Sequence, residues 1–296
     1  MGSWNSSSDC CHWTYVNCSS WFDSRSVIGI DLNRVVYFKN YDGPEIVPST
    51  ILTPLFRIRS LRKLQLAGNY IQGELSGNGL ANLSKLRYLD LEENNFNGYI
   101  PFQLFQLRYL QYLNMGTNSF HGILSGWKVS SLQNLRVLDL EFNFLGGNIL
   151  EEIGNMTKLQ QLILGGNKFF GEIPSSILNL KELTSLDLGY NLLSIEIPNN
   201  IGNLSNLTTL ALGNNKLTCK IPSSIKNLTK LVTLDLENNL LTGEIPFWLS
   251  NINGLEVLSL GGNSLTWNNN AKIVPNNNTP YWLSMKSCGL VGEIPY

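Results

Sequence analysis

One phrase recurs along this chain every 24 or 25 residues, and it constrains the fold more than any other feature. Asn69, Asn94, Asn118, Asn143, Asn167, Asn191, Asn215, Asn239 and Asn263 each close a run of the form L-x-x-L-x-L-x-x-N. Leu, Ile or Phe follows two residues after each, and Cys288 holds the same place in a further copy. Such a period means one short unit stacked on copies of itself, because a single unit cannot bury its own apolar face. The L-x-L core of each unit reads as a strand with alternate residues inward, such as Leu138 and Leu140 after Leu135. The ladder Asn turns inward where the strand ends. A buried amide needs partners, and its two donors and one acceptor can serve the turns beside it.

Gly73, Gly98, Gly122, Gly147, Gly171, Gly243 and Gly292 mark a bend four residues after the ladder position. Ile-Pro pairs such as Ile100-Pro101, Ile173-Pro174 and Ile245-Pro246 follow. Proline there stops further strand pairing and directs the chain over the convex side, where short helical or 3₁₀ turns carry it back. The expected fold is an α/β solenoid of the leucine-rich repeat type. It is a right-handed superhelix of about 11 repeats with a parallel sheet on its concave face.

A degenerate unit precedes the regular ones, with Val27, Ile30 and Leu32 in strand pattern and Val35 at the ladder position. The gap from Val35 to Asn69 is about ten residues too long for one repeat. Residues 36–56 therefore read as an insertion loop, and 266–280 as a second irregular segment. Residues 1–26 read as a truncated, cysteine-bearing N-terminal cap, and 27–296 as the solenoid, ending mid-repeat. The formal charge of -1 and pI near 6.2 give no electrostatic case for nucleic acid or an anionic membrane. No apolar run approaches the ~20 residues that span a bilayer. The first residues lack the basic and apolar regions of a signal peptide. The sequence thus reads as a mature fragment or a truncated product.

Cys10, Cys11 and Cys18 crowd the N-terminus, whereas Cys219 and Cys288 lie in repeats too far apart to bridge. Eight asparagines sit in N-x-S/T. Asn82, Asn155, Asn203 and Asn227 each fall twelve residues before their ladder Asn, which places four glycan acceptors on one solvent-facing edge. Glycan acceptors together with a cysteine-bearing cap indicate a secreted, oxidising setting, in which a Cys11–Cys18 disulfide is expected.

Catalysis has little support. The only histidines are His12 and His121, and no nucleophile elbow, phosphate loop or zinc spacing is present. Asp90, Asp139, Asp187 and Asp235 occupy the outward mid-strand position in alternate repeats. At two strand spacings, about 10 Å, they lie beyond the reach of an inverting carboxylate pair. Repulsion between like charges on adjacent strands explains the alternation more simply. The reading is non-enzymatic, with no cofactor and no metal. A sharper candidate is a ligand-binding site on the concave face. Phe142 and Tyr190 form two walls, Ile163 and Gly165 a floor, and Asp139, Glu141 and Asp187 a rim.

The L-x-G-x-I-P motif after each ladder Asn resembles the plant-specific class of leucine-rich repeat. Asp9-Cys10-Cys11-His12-Trp13-Thr14-Tyr15-Val16-Asn17-Cys18 resembles that class's N-terminal cap, without the upstream helix and cysteine, so Cys10 lacks its partner. The segments 52–64, 77–86 and 283–290 resemble the receptor-like protein branch. The resemblance implies a cell-surface ectodomain that binds a secreted protein or peptide in defence or developmental signalling. It also implies recruitment of a repeat-bearing receptor kinase, and a membrane helix, both through C-terminal parts that this sequence lacks. The alternatives are an extracellular inhibitor of cell-wall-degrading enzymes, polygalacturonase-inhibitor-like, and more remotely a carbohydrate-active enzyme.

Overall fold

The computed structural model describes residues 7–20, 25–35, 46–124, 132–266 and 282–284. The chain divides into two compact units. The first is Met1–Gly122 with Gly126–Phe144, and the second is Ile123–Ser125 with Leu145–Tyr296. Each is a stack of repeats, and each repeat places one three-residue strand in a main parallel sheet.

In the first unit these strands are Val27–Asp31, Lys63–Gln65, Tyr88–Asp90, Tyr112–Asn114 and Val137–Asp139, paired in that order. In the second they run from Gln161–Ile163 through Ser185–Asp187, Thr209–Ala211, Thr233–Asp235 and Val257–Ser259 to Trp282–Ser284. Leucines at alternate strand positions point to one side and are excluded from solvent, as at Leu64, Leu89, Leu113, Leu186, Leu210 and Leu234. The opposite side of the main sheet is open. It is the face read as concave from the sequence.

A second set of strands leaves each ladder turn, such as Asn95–Tyr99 beside Ile71–Glu74 and Leu192–Glu196 beside Lys168–Gly171. Proline then ends the pairing. Pro101, Pro174, Pro222 and Pro246 each precede a 3₁₀ turn with extended ψ between 129° and 140°. A proline cannot donate to a further ladder bond, so the chain turns here.

The insertion expected over 36–56 is partly outside the described residues, at 36–45. Its remainder is regular. Val47–Pro48 pairs with Ile71–Gln72, and Ser49–Leu52 and Leu55–Arg57 form 3₁₀ turns that bury Leu52 and Phe56. These residues do the work of an ordinary repeat's outer half, which the missing glycine and Ile-Pro marks concealed. Residues 267–280 of the irregular segment, Asn5, Asn277 and Cys288 also lie outside the described residues.

At the N-terminal end, Val16–Cys18 pairs antiparallel with the first main-sheet strand, and a disulfide joins Cys11 to Cys18. Cys10 and Cys219 are free thiols. Asp9, Cys10 and Cys11 present ligand atoms within 4.8 Å of one another, but the Cys11 sulfur is held in the disulfide.

The ladder asparagines connect the repeats. All nine are 2–9% exposed. Asn191 Nδ2 donates to Leu188 O and Gly189 O in its own turn and to Leu164 O in the preceding repeat, at 3.0–3.1 Å. Its Oδ1 accepts from Phe169 N–H of that preceding repeat at 2.9 Å. The same set recurs at Asn94, Asn215, Asn239 and Asn263. Asn191→Ala leaves the buried Phe169 N–H without its acceptor, at roughly 1–3 kcal/mol, and removes one of two bonds at Leu164 O, Leu188 O and Gly189 O. Asn95, one residue past a ladder position, is exposed. Asn191→Ala is therefore expected to lower the melting temperature well below that of Asn95→Ala, and equal melting curves would count against the ladder.

The bend position imposes its own backbone. Gly73, Gly98 and Gly147 there have φ of 114°, 78° and 84°, and Ile195 and Cys219 are held at 71° and 68°. A β-branched residue at positive φ is strained, at about 1–2 kcal/mol. Ile195 is half exposed and gives little packing in return. Ile195→Gly is expected to stabilise the chain by about 0.5–1 kcal/mol after the extra unfolded-state entropy of glycine is counted. Chemical denaturation measures this directly, and a destabilised variant would place the Ile195 side chain in the core.

Candidate ligand-binding face

The open face carries three outward columns along the main sheet, and a fourth column sits at the residue just before each ladder Asn. The fourth has a backbone rule that the sequence did not reveal. Gly68, Glu93, Thr117 and Phe142 in the first unit lie at φ of 47° to 67°. Gly166, Tyr190, Asn214, Asn238 and Gly262 in the second lie between 51° and 66°. Backbone bonds to the repeats on either side fix this left-handed turn. Tyr190 N–H donates to Gly213 O at 2.9 Å, and Tyr190 O accepts from Asn167 N–H at 3.2 Å. Gly166 is thus a residue suited to the turn, whereas Phe142 and Tyr190 hold bulky rings where glycine costs less. Phe142 is 56% and Tyr190 62% exposed.

The expected site residues divide between the units. Asp139, Glu141 and Phe142 belong to the first, and Ile163, Gly165, Asp187 and Tyr190 to the second. In the second unit, Ile163 is half-buried and stands opposite Asp187 in the sheet. Gly165 is buried.

The aspartates have a structural task that sequence reasoning assigned to charge repulsion. Asp187 Oδ1 accepts Gly189 N–H at 2.9 Å, Asp235 Oδ1 accepts Glu237 N–H at 3.0 Å, and Asp139 Oδ1 accepts Glu141 N–H at 3.0 Å. Each closes the turn that follows its strand. Asn114 does the same with an amide, accepting Gly116 N–H at 2.8 Å. Glycines on this face make room for these carboxylates. A Cβ on Gly165 would lie 3.0 Å from Asp187 Oδ1, and one on Gly213 2.6 Å from Asp235 Oδ2.

Burial raises the pKa of Asp187 and of Asp235, and the accepted backbone N–H partly offsets it. For Asp235, the charges of Glu237 and Asp187 add to the rise. Burial likewise raises Asp90 and Glu92 in the first unit. A carboxyl whose folded pKa exceeds its unfolded value binds more protons when folded, so stability falls as pH rises through that window. The window opens above the ordinary aspartate value of 3.8. The native chain is therefore expected to melt at a higher temperature near pH 5 than near pH 7.5. Asp187→Asn/Asp235→Asn keeps the turn bonds, as Asn114 does, and is expected to flatten that dependence. A native chain more stable at pH 7.5 would contradict the assignment.

The structure also groups residues that the sequence reading passed over. In the first unit, Tyr88 and Tyr112 stack at 4.0 Å with an interplanar angle of 1°, and Lys63 Nζ sits 4.9 Å over the Tyr88 ring. All three fall at the first outward position of successive strands, a column visible once the repeats are aligned.

The sequon asparagines Asn82, Asn155, Asn203 and Asn227 are exposed, Asn82 capping the helix Gly77–Ala81 and the others ending 3₁₀ turns. The sequon at Asn206 differs. Its Nδ2 donates to Lys181 O, and its Oδ1 accepts from Lys230 Nζ, so the amide is already in use.

A leucine rich repeat family model matches residues 59–120 and 205–265, and a second matches single repeats at 134–156, 158–180 and 182–204. The matches take in more than half of the sequence. The chain belongs to the leucine-rich repeat family. Within it, the sequence matches the plant receptor-like proteins. Receptor-like protein 46 of Arabidopsis thaliana is 46% identical over 104 residues, which is 35% of this chain and 12% of that relative.

The ectodomain of the Arabidopsis membrane receptor kinase GASSHO1/SCHENGEN3, in complex with Casparian strip integrity factor 2, is 33% identical with a TM-score of 0.78. That match covers 89% of this chain and 30% of the other. Arabidopsis HAESA, solved with the peptide hormone IDA and the co-receptor SERK1, is 37% identical with a TM-score of 0.67, over 70% of this chain and 34% of its own. A plant ice-binding protein shares the fold at 23% identity and a TM-score of 0.77, covering 98% of this chain and 89% of that one.

Proposed function

We propose that this leucine-rich repeat chain is an extracellular recognition module of a plant cell-surface receptor-like protein, binding a secreted peptide in defence or developmental signalling. The open face of the second unit, with Tyr190, Ile163, Gly165 and Asp187, takes part in the contact. Phe142, Asp139 and Glu141 give the open face of the first unit, taken by itself, the same residue types. The observation that carries this reading is Tyr190. A bulky ring is held at φ 51° with 62% of its surface exposed, at a position where three other repeats use glycine. Strain without compensating burial suggests a role beyond stability. An exposed aromatic is the usual anchor of a recognition surface. The solved relatives bound to a peptide hormone or a secreted factor support the ligand class, and the four exposed sequons support an outer-face location.

Tyr190→Gly tests the reading because stability and binding should move in opposite directions. The variant is expected to melt at the same or a higher temperature. It is also expected to lose the peptides that the parent chain captures from plant extracellular fluid, as measured by mass spectrometry of the eluates. An unchanged set of captured peptides would remove Tyr190 from the contact.

A further inference from the structure

The charge of the first unit is segregated across its open face. The five residues from ten to six before each ladder Asn lead into the strand. In the first unit these windows are 59–63, 84–88, 108–112 and 133–137, and they hold seven Lys or Arg and no Asp or Glu. The five such windows of the second unit, from 157–161 to 253–257, hold three cations and two acids. The strand exits of the first unit carry Asp31, Asp90, Glu92, Glu93, Asp139 and Glu141 against Arg34 alone.

Backbone bonds align the basic edge. Arg62 N–H donates to Ile28 O, Arg87 N–H to Arg62 O, Gln111 N–H to Arg87 O and Arg136 N–H to Gln111 O, each at 2.8 Å. These four residues are successive rungs of one column, about 4.8 Å apart. Arg59, Arg62, Lys85, Arg87, Arg108 and Arg136 are all exposed. The three ion pairs among the described residues use none of them. The arginine column and the aspartate column are three residues of strand apart, ~10 Å, with the glutamates farther along. That is just beyond the ~8 Å screening length at physiological salt, so the arginine edge presents its own sign to a partner. Aromatic rings interleave with the cations, with Arg108 5.6 Å over Tyr109 and Lys63 over Tyr88.

We propose that this edge docks a linear acidic polysaccharide of the polyuronate type, with Arg62, Arg87 and Arg136 on its carboxylates. Exposed aromatic rings among the cations favour this partner over an acidic peptide, because sugar C–H faces stack on a ring such as Tyr109 while the carboxylates meet the arginines beside it. The exposed arginines meet carboxylates with bidentate geometry. This surface is separate from the Tyr190 contact, and either assignment stands if the other fails.

The test is calorimetric titration of the glycan-trimmed chain, with divalent ions chelated, against oligogalacturonate and against a glutamate peptide of matched charge. The parent chain is expected to bind oligogalacturonate more tightly than the peptide, with affinity that falls as salt rises. Arg62→Gln/Arg87→Gln/Arg136→Gln is expected to bind about tenfold more weakly while melting as the parent does. Lys158→Gln/Lys181→Gln/Lys230→Gln, an equal charge change in the second unit, is expected to leave affinity within about twofold. No binding by the parent at low salt, peptide binding as tight as that of the oligogalacturonate, or equal losses in the two triple variants would each overturn the proposal.

Discussion

The ladder asparagine is the interaction on which the other features depend. One buried amide closes its own turn and also binds the backbone of the repeat before it, at both a carbonyl and an N–H. Leucine packing alone is non-directional and would tolerate slippage between repeats. The amide bonds fix register one repeat at a time, and the cost of a buried amide is met only when every repeat sits in place. Bonds of this kind also determine the left-handed residue before each ladder Asn, and with it the direction in which Phe142 and Tyr190 point.

Because the ladder, the leucines and the strand-closing aspartates carry stability, the other outward positions are released from it. That division of labour is why one fold serves a receptor kinase ectodomain solved with a peptide hormone and also a plant ice-binding protein. The outward columns here differ sharply between the two units. The first has a stacked tyrosine pair and a one-sided charge pattern, and the second has small and hydroxyl residues around Ile163 and Tyr190.

Period and ladder were legible in the sequence because they are strict physical requirements repeated many times. The Cys11–Cys18 bond was legible too, from its place in a cysteine-bearing cap. Val47–Pro48 and its 3₁₀ turns were not, since that repeat lacks the glycine and Ile-Pro marks and only backbone pairing reveals it. The aspartate column was visible but misattributed. Repulsion explains the spacing of charges, yet only coordinates show each carboxylate closing the turn two residues on. Likewise the glycines at 165 and 213 look like vacant surface in sequence, and in space they accommodate Asp187 and Asp235. The αL rule at Tyr190 is a backbone property that residue identity does not encode, because Tyr, Asn and Gly all occupy it.

Stability resides in the ladder, the leucines and the strand-closing aspartates, and the remaining outward positions of the open face are free of it. The direct measurement is a saturation scan of residues 185–215 read by proteolytic stability. The account predicts that nearly every substitution at Asn191 and Asn215 destabilises strongly, while Ser185, Tyr190 and Thr209 accept most polar replacements with little change. A flat profile, or one in which Tyr190 is as intolerant as Asn191, would contradict it.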